Sequence, residues 1–460
     1  MQTARLLMRR RLRLSVTAGT LIFGGLADAA TKPNILFILA DDLGYGDLAC
    51  YGRADIRTPA IDSLARQGIR LTRCYANAAE CTPTRAAFLT GRYQQRIGGL
   101  ECAIGIGHTG RYDDAIRLCA QGELGLPVSE TSIARLLKEA GYTTALSGKW
   151  HLGYDAKFSP NRHGFDHAFY VQGGEAEYFF HTEPNGEPSL FLDGKPVARD
   201  GYMTDLITDD AVRFIAQKRE SPFFLYVAYT APHSPYQGPQ DAHDCPLPPD
   251  SERWNQSKGP RETYVAMIER MDEGVAKILA ALDASGVASN TAVVFTSDNG
   301  ATRSGSCGPL RGFKGSTFEG GLRVPALVRW PGKIEPGRVS EQVCLTMDFT
   351  VSFAAMAGVT LPPGRSFDGI DVLRHLAEGR EPAPRTLFWR MRRGNLTRWA
   401  VIDGTLKLVR EKSGASEETH LFDLAADPAE TRDLAESRAE AAETLMAALA
   451  AWERRVKPMR

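Results

Sequence analysis

Short, almost wholly apolar runs alternate with helical stretches from Pro33 to about Val372, and they constrain the fold more than any other feature. The runs Asn34 to Ala40 and Thr291 to Thr296 are typical of strands buried on both faces. Alternation of such strands with helices indicates an α/β fold. We therefore predict an α/β domain over residues 33–372, in which a large, mixed and mostly parallel sheet is sandwiched between helices.

The pattern changes from about Arg385. Thr386 to Met391 and Trp399 to Arg410 are strand-like, and the second run is interrupted by Asp403-Gly404, a strong hairpin signal. The segment Leu434 to Val456 is rich in Ala and Glu and predicts a closing helix. Residues 385–460 are thus expected to form a smaller C-terminal α+β domain with an antiparallel sheet.

The N-terminus has the three regions of a signal peptide. Four arginines between Arg9 and Arg13 precede the mostly apolar run Leu14 to Leu26, which is followed by Ala27-Asp28-Ala29. The apolar run is shorter than the roughly 20 residues that a membrane-spanning helix needs, so no stable membrane anchor is expected. Residues 1–29 are predicted to be cleaved, with the protein periplasmic or secreted. The choice between the Sec and twin-arginine routes stays open.

Charge limits the range of partners. The 55 basic and 55 acidic residues balance, so nothing favours a nucleic-acid partner, and a small or carbohydrate-like ligand is expected.

The cysteine pattern does not indicate a thiol-ligated metal. No Cys-x-x-Cys occurs among the eight cysteines, and no Cys/His spacing resembles a structural zinc site. Cys102 and Cys119 flank a loop-like insertion and are the predicted disulfide pair, if one forms.

Oxygen-bearing side chains follow two of the apolar runs. Asp41 and Asp42 come directly after Ala40, and Asp298 and Asn299 follow the run that ends near Thr296. Functional sites of open α/β sheets lie outside the carboxyl ends of strands, so the two clusters can converge. Their oxygens favour a hard cation, Ca²⁺ before Mg²⁺. The alternative is that both pairs are ordinary turn formers.

Basic side chains follow two further strand-like runs. Tyr142 to Ser147 leads to Lys149 and His151, and Phe223 to Tyr229 leads to His233. Loop Lys and His residues are more often solvated, but their place at strand ends predicts that they face the same site.

Cys81 begins a further motif, Cys81-x-Pro83-x-Arg85. A lone cysteine is more often a small buried hydrophobe than a nucleophile. Here, however, Pro83 has its φ preset for a first helical turn, and Arg85 falls beside the unsatisfied N–H groups that favour anions. An anionic substrate would be accommodated at this point.

These stretches together resemble the signatures of type I, formylglycine-dependent sulfatases of the alkaline-phosphatase superfamily. Leu89-Thr90-Gly91-Arg92 resembles the second signature element, and the segment Gly312 to Pro325, which contains Lys314, also resembles the family. The similarity runs from Pro33 to the Leu421–Pro428 segment. Within the family, the sequence resembles arylsulfatase and N-acetylgalactosamine-6-sulfatase-like enzymes.

The resemblance implies a mechanism. A maturation enzyme would oxidise Cys81 to Cα-formylglycine, whose hydrate is the nucleophile, with His151 deprotonating its second hydroxyl and His233 protonating the leaving alcohol. Arg85, Lys149 and Lys314 would stabilise the developing charge, and Lys149, His233 and Lys314 would bind the substrate. The implied Ca²⁺ ligands are Asp41, Asp42, Asp298, Asn299 and the matured residue 81.

The expected reaction is hydrolysis of carbohydrate or aryl sulfate monoesters. The alternatives are a phosphonate monoester or phosphodiester hydrolase on the same scaffold and a non-catalytic carbohydrate-binding relative. Selectivity should come from loops around the sheet edge. Candidate walls are Gln94 to Gly125 and Glu175 to His181, whose aromatic residues either stack on a sugar ring or belong to the core.

Overall fold

The computed structural model describes residues 32–458, so the predicted signal peptide lies outside the described residues. From Pro33 onward the chain forms one compact unit. Every helix in the described part is too short or too polar to cross a membrane. The division into domains at residues 372 and 385 stays a prediction.

Sixteen strands and ten α-helices occur between residues 32 and 458. The strands are β1 (Asn34–Ala40), β2 (Ile69–Leu71), β3 (Cys74–Tyr75), β4 (Thr143–Lys149), β5 (His167–Val171), β6 (Leu190–Leu192), β7 (Lys195–Pro196), β8 (Phe223–Ala228), β9 (Thr291–Ser297), β10 (Ala326–Arg329), β11 (Arg338–Ser340), β12 (Cys344–Leu345), β13 (Thr386–Arg393), β14 (Leu396–Asp403), β15 (Leu406–Ser413) and β16 (Ser416–Asp423). The helices are α1 (Pro59–Arg66), α2 (Cys81–Thr90), α3 (Asp113–Ala120), α4 (Ile133–Glu139), α5 (Met203–Ala216), α6 (Arg261–Ala284), α7 (Glu319–Leu322), α8 (Thr346–Met356), α9 (Val372–Ala377) and α10 (Ala439–Arg455).

The large sheet has ten strands in the order β11-β2-β10-β9-β1-β8-β4-β5-β6-β7 within the described residues. Strand β1 lies near its centre, parallel to both β8 and β9. The pairs of β10 with β2 and β9, of β5 with β6, and of β6 with β7 are antiparallel. The predicted mixed, mostly parallel sheet is therefore confirmed.

Both faces of this sheet are covered, which explains why its central strands are apolar throughout. Phe37 of β1 stacks on Phe88 of α2 with ring centroids 3.9 Å apart, on the face that α8 also covers. The next residue, Ile38, belongs to the opposite core with Ile207 of α5 and Met271 of α6. Successive side chains of a strand point to opposite faces, so a strand between two helical layers must be apolar at every position.

Strand register brings the polar clusters together. Ala40 of β1 pairs with Ser297 of β9, so the residues that follow, Asp41 and Asp298, emerge side by side. On the other flank of the same sheet, Gly148 of β4 pairs with Ala228 of β8. All four strands therefore deliver their polar residues to one edge, as predicted.

The C-terminal part forms a separate antiparallel sheet in the order β13-β14-β15-β16, followed by α10. Gly404 has a φ of 59° in the predicted hairpin turn. The closing helix begins at Ala439 rather than at Leu434, because the Leu434 N–H donates to the Leu421 carbonyl of β16.

The predicted disulfide between Cys102 and Cys119 is wrong: all eight cysteines are free thiols. The Cys119 thiol of α3 is turned toward the His108 carbonyl, 2.9 Å away, whereas Cys102 is buried in the preceding loop.

A buried ion group joins the small sheet to the segment beside the site. Lys407 of β15 has its Nζ 2.9 Å from a carboxylate oxygen of Glu319 in α7 and 2.9 Å from one of Glu430, and all three side chains are fully buried. The Tyr75 hydroxyl also donates to Glu319. Removing the lysine would take away the cation that pairs with Glu430 and would leave Glu319 with Arg323, whose Nη1 lies 3.4 Å away.

We predict that Lys407→Met lowers the free energy of unfolding by about 3–5 kcal/mol, because breaking a buried ion pair leaves uncompensated charge. Urea denaturation measures it. Lys412→Met on the same strand is the control, since Lys412 is exposed and its ion pair with Glu417 is long, at 3.7 Å. Equal losses in both variants would contradict the prediction.

Candidate active site

Cys81 lies at the first residue of α2, below the edge where the central strands end. The residue is 2 % exposed, and its Sγ atom lies 3.2 Å from Nδ1 of His151. The other ring nitrogen of His151 contacts the Ile104 carbonyl at 2.9 Å, and its own carbonyl accepts from the Thr82 hydroxyl. Cys81 and His151 are thus held in a fixed mutual orientation.

Arg85 connects the helix to two strand ends. Its Nε and Nη2 donate to Oδ2 of Asp298 at 3.1 and 2.8 Å, and its Nη1 donates to the Lys149 carbonyl at 3.0 Å. The guanidinium is fully buried. Its hydrogen bonds go to β9 and β4, so it positions the carboxylate and the lysine around Cys81.

The two oxygen clusters converge, as the sequence predicted. The Asp42 N–H donates to Asp298 Oδ1 at 3.3 Å, and Asn299 Nδ2 donates to Asp42 Oδ1 at 2.7 Å. Ligand atoms of Asp41, Asp298 and Cys81 lie within 4.8 Å of one another, as do those of Asp41, Asp42 and His233. This spacing allows one cation to contact several of them.

Two buried oxygens of this cluster lack a hydrogen-bond donor. They are Oδ1 of Asp41 and Oδ1 of Asn299. Because an unsatisfied buried acceptor is costly, both oxygens are suited to a ligand that accepts lone pairs. A carboxylate and amide donor set of this kind fits a hard divalent cation.

Lysines supply the counter-charge. Lys149 Nζ donates to Asp41 Oδ2 at 2.5 Å, and Lys314 Nζ donates to Asp42 Oδ2 at 2.9 Å. His233 Nε2 lies 3.6 Å from the same Asp42 oxygen. All the predicted site residues are therefore brought together at one place.

Burial sets the protonation states of the two histidines. It lowers the pKa of His151 well below its usual value, with the nearby Lys149 adding to the effect. Burial, again with a lysine, Lys314, lowers the pKa of His233 to about 4. Both rings are therefore neutral at pH 7 and able to accept a proton.

The pKa values of two aspartates in the site, Asp298 and Asp42, are shifted in opposite directions. Burial, together with the charge of Asp41, raises the pKa of Asp298 to about 7. For Asp42 the burial effect is outweighed by Lys314, and its pKa falls to about 2. Burial also raises the pKa of the Cys81 thiol, so the unmodified cysteine is a poor nucleophile at neutral pH.

A cavity of about 300 Å³ opens above Cys81. Besides Cys81, its walls include His151, His233 and Lys314 from the predicted set, and Arg111 and Glu175 from the two predicted wall segments. In the second of these segments, Tyr178 is fully buried and belongs to the core, whereas Phe180 is exposed.

Gln256 and Arg393 also line the cavity, and sequence reasoning missed both. Gln256 bridges His233 and Glu175 at 3.3 and 2.7 Å, and Arg393 pairs with Glu80 at 2.7 Å. Neither follows a strand of the large sheet, so no positional signal marked them.

The chain resembles known proteins along most of its length. A family model described as Sulfatase matches residues 33–359, and one described as N-sulphoglucosamine sulphohydrolase, C-terminal, matches residues 313–454. N-acetylgalactosamine-6-sulfatase of Homo sapiens is 35% identical, covering 77% of this chain and 68% of that protein. Steryl-sulfatase of Mus musculus is 35% identical, covering 75% of this chain and 65% of that protein.

Solved structures share the fold. The crystal structure of Ps i-CgsB in complex with k-i-k-neocarrahexaose has a TM-score of 0.78 and 31% identity, covering 92% of this chain and 93% of that chain. Phosphonate monoester hydrolase of Agrobacterium radiobacter has a TM-score of 0.63 and 20% identity, covering 92% and 96% of the two chains, and is alike in fold alone.

The low pKa of His233 predicts a pH dependence of stability. In the unfolded chain, His233 takes up a proton near pH 6.5, whereas in the folded protein it does so only near pH 4. The folded state therefore loses stability as the pH falls between these two values. Between pH 7 and pH 5, we expect the free energy of unfolding to fall by about 2 kcal/mol less in His233→Gln than in the wild type. Urea denaturation at each pH measures this difference.

The interval from pH 8 to pH 7 is the internal control, since it lies above both pKa values and the two proteins should behave alike there. If the free energy of unfolding fell equally in both proteins below pH 7, folded His233 would accept a proton as readily as it does in the unfolded chain, and the prediction would be wrong.

Proposed function

This chain belongs to the type I sulfatase family of sulfuric ester hydrolases, in the alkaline phosphatase superfamily, and we propose that it hydrolyses sulfate monoesters of carbohydrates at Cys81. It spans about two thirds of the length of the curated relatives it matches. The observation that carries the proposal is Cys81 itself, fixed 3.2 Å from His151 at the base of a cavity that also contains Lys314.

Cys81 is the proposed site of maturation. Conversion to Cα-formylglycine would supply a hydrated aldehyde, with one hydroxyl to attack sulfur and a second to expel sulfate afterwards. His151 is the group that accepts a proton at this position, because it is neutral and its Nδ1 faces the residue 81 side chain. Its Nε2 is held by the Ile104 carbonyl, which fixes the ring.

Calcium is the proposed metal, held by Asp41, Asp42, Asp298, Asn299 and matured residue 81, with Mg²⁺ the second choice. The two orphaned oxygens, Oδ1 of Asp41 and of Asn299, support this assignment. When bound, the cation would stabilise negative charge on the sulfate oxygens. It would also favour the ionised form of Asp298, whose pKa burial raises.

Lysines would bind the sulfate group. Lys314 lines the cavity, and its pKa is raised because Asp42 and other buried anions outweigh the cost of burial, so it stays protonated. Lys149 and Arg85 are fully buried beneath it, and both hold acidic residues in place. A fixed set of cations in a water-poor site stabilises developing charge without reorganisation.

His233 is the proposed proton donor to the leaving alcohol. It is neutral in the free protein, but an anionic sulfate beside it would raise its pKa and favour protonation before the ester bond breaks. Gln256, 3.3 Å from its Nε2, would orient the ring.

The substrate class is proposed to be a sulfated carbohydrate. The names of the relatives support it, since one acts on N-acetylgalactosamine-6-sulfate and one structure contains a neocarrahexaose. The cavity is lined mainly by polar and charged side chains, as binding of a sulfated sugar requires. Export through the predicted signal peptide and maturation by a formylglycine-generating enzyme complete the proposal.

Coexpression with a formylglycine-generating enzyme tests the nucleophile. We expect the peptide containing residue 81 to lose about 18 Da, by mass spectrometry, and the protein to release sulfate from 4-nitrophenyl sulfate over many turnovers. Cys81→Ser lacks the second hydroxyl and should lose turnover while keeping its melting temperature. Faster hydrolysis of a phosphonate monoester or phosphodiester would instead favour the phosphoryl-transfer alternative.

Thermal unfolding tests the metal site independently of activity. Excess Ca²⁺ should raise the Tm of the wild type by a few degrees relative to EDTA, since a ligand at about 100 times its Kd adds about 2.7 kcal/mol. Asp41→Asn, which removes one ligand charge, should abolish the shift, whereas Asp244→Asn at an exposed position should keep it. An unchanged shift in Asp41→Asn would place the metal elsewhere.

A further inference from the structure

Three cationic side chains line the cavity above Cys81, and they differ in their counter-charges. Lys314 pairs with Asp42 at 2.9 Å, and Arg393 pairs with Glu80 at 2.7 Å. Arg111 has neither an ion pair nor a side-chain hydrogen bond with any residue of the described part of the chain. Its positive charge therefore has no paired counter-charge among residues 32–458.

The Arg111 side chain is accommodated by local structure. Gly105 and Thr109 form a small bridge with hydrogen bonds of 2.7 and 3.0 Å, which closes the loop before Arg111. A Cβ added to Gly105 would lie 3.0 Å from Nε of Arg111, so the glycine leaves room for the guanidinium. The Arg111 carbonyl also accepts from the Gly394 N–H, which anchors the loop to the small sheet.

Arg111 belongs to a different wall from the residues proposed to bind the scissile sulfate. Lys314 and His233 both lie beside Asp42, whereas Arg111 follows the loop that carries Ile104, the hydrogen-bond partner of His151. The positive charge of Arg111 also contributes to the low pKa of His151. The cavity therefore has cations on two walls, and one sulfate monoester carries a single negative charge.

We propose that Arg111 binds a second anionic group of the substrate, a sulfate or a carboxylate, while the scissile sulfate lies at Cys81. The proposal deepens the sulfatase function and rests on it. A guanidinium without a partner is suited to bidentate binding of an oxyanion. The cavity, about 300 Å³, is at the small end of ligand pockets, so the second anion lies on the sugar that carries the ester or on the adjoining one.

Binding to protein that retains unconverted Cys81 tests the proposal without turnover. Isothermal titration with Ca²⁺ present would compare three disaccharides of identical backbone: one with a single sulfate, one with a second sulfate and one with a carboxylate instead. Wild type should bind at least one of the dianionic disaccharides about 10–100-fold more tightly than the monosulfated one. A charge-assisted hydrogen bond gives a gain in affinity of this size.

Arg111→Gln should abolish this preference while leaving the affinity for the monosulfated sugar unchanged. Arg111→Lys should retain part of it, because a point charge remains without the bidentate fork. Arg66→Gln, which removes an exposed arginine outside this cavity, is the control for total charge and should bind like wild type. The sugar whose affinity falls identifies the second anion.

Two results would overturn the inference: no preference in wild type, or a preference that survives in Arg111→Gln. Turnover by the matured enzyme separates this inference from the proposed function. Failure to hydrolyse any sulfate ester would contradict the sulfatase proposal, and the binding comparison would still decide the role of Arg111.

Discussion

The structure around the site depends on the compensation of carboxylates buried at the ends of two central strands. Asp41, Asp42 and Asp298 are each at most 1 % exposed, and three carboxylates that close together cannot all ionise without cations. Arg85, Lys149 and Lys314 supply those cations from α2, β4 and the segment before α7. Each side chain thereby fixes the position of an element that is distant in sequence.

Such a cluster requires very close packing of the backbone around it. Gly148, with a φ of 120°, sits where a Cβ would fall 1.9 Å from the Ala228 carbonyl oxygen, and a Cβ on Gly300 would fall 1.8 Å from the Gly320 carbonyl oxygen. Only glycine permits these approaches. They bring β4 against β8, and the end of β9 against the segment that carries Lys314.

The small C-terminal sheet takes part in the site although it lies outside the large sheet. The buried Lys407 holds Glu319, a few residues after Lys314, and Arg393 of β13 reaches Glu80 at the start of α2. Arg390 adds a bidentate pair with Glu101. The sheet thus supports both the lysine segment and the wall that presents Arg111.

The sequence by itself determined the long central strands of the large sheet and the polar side chains that follow them. A strand buried on both faces must be apolar along its length, and parallel strands end at the same edge of the sheet. The sequence alone therefore predicted that Asp41 and Asp298 lie close together. The motif beginning at Cys81 carried the resemblance to the family, because its residues lie within one short stretch of sequence. Only the tertiary structure decided that Arg85 holds Asp298, that Cys102 and Cys119 stay apart, and that Gln256 and Arg393 line the cavity. Those contacts are between residues that are far apart in the sequence, and several of these residues lie in loops. The path of a loop depends on how it packs against the rest of the fold, so no local sequence pattern predicts it.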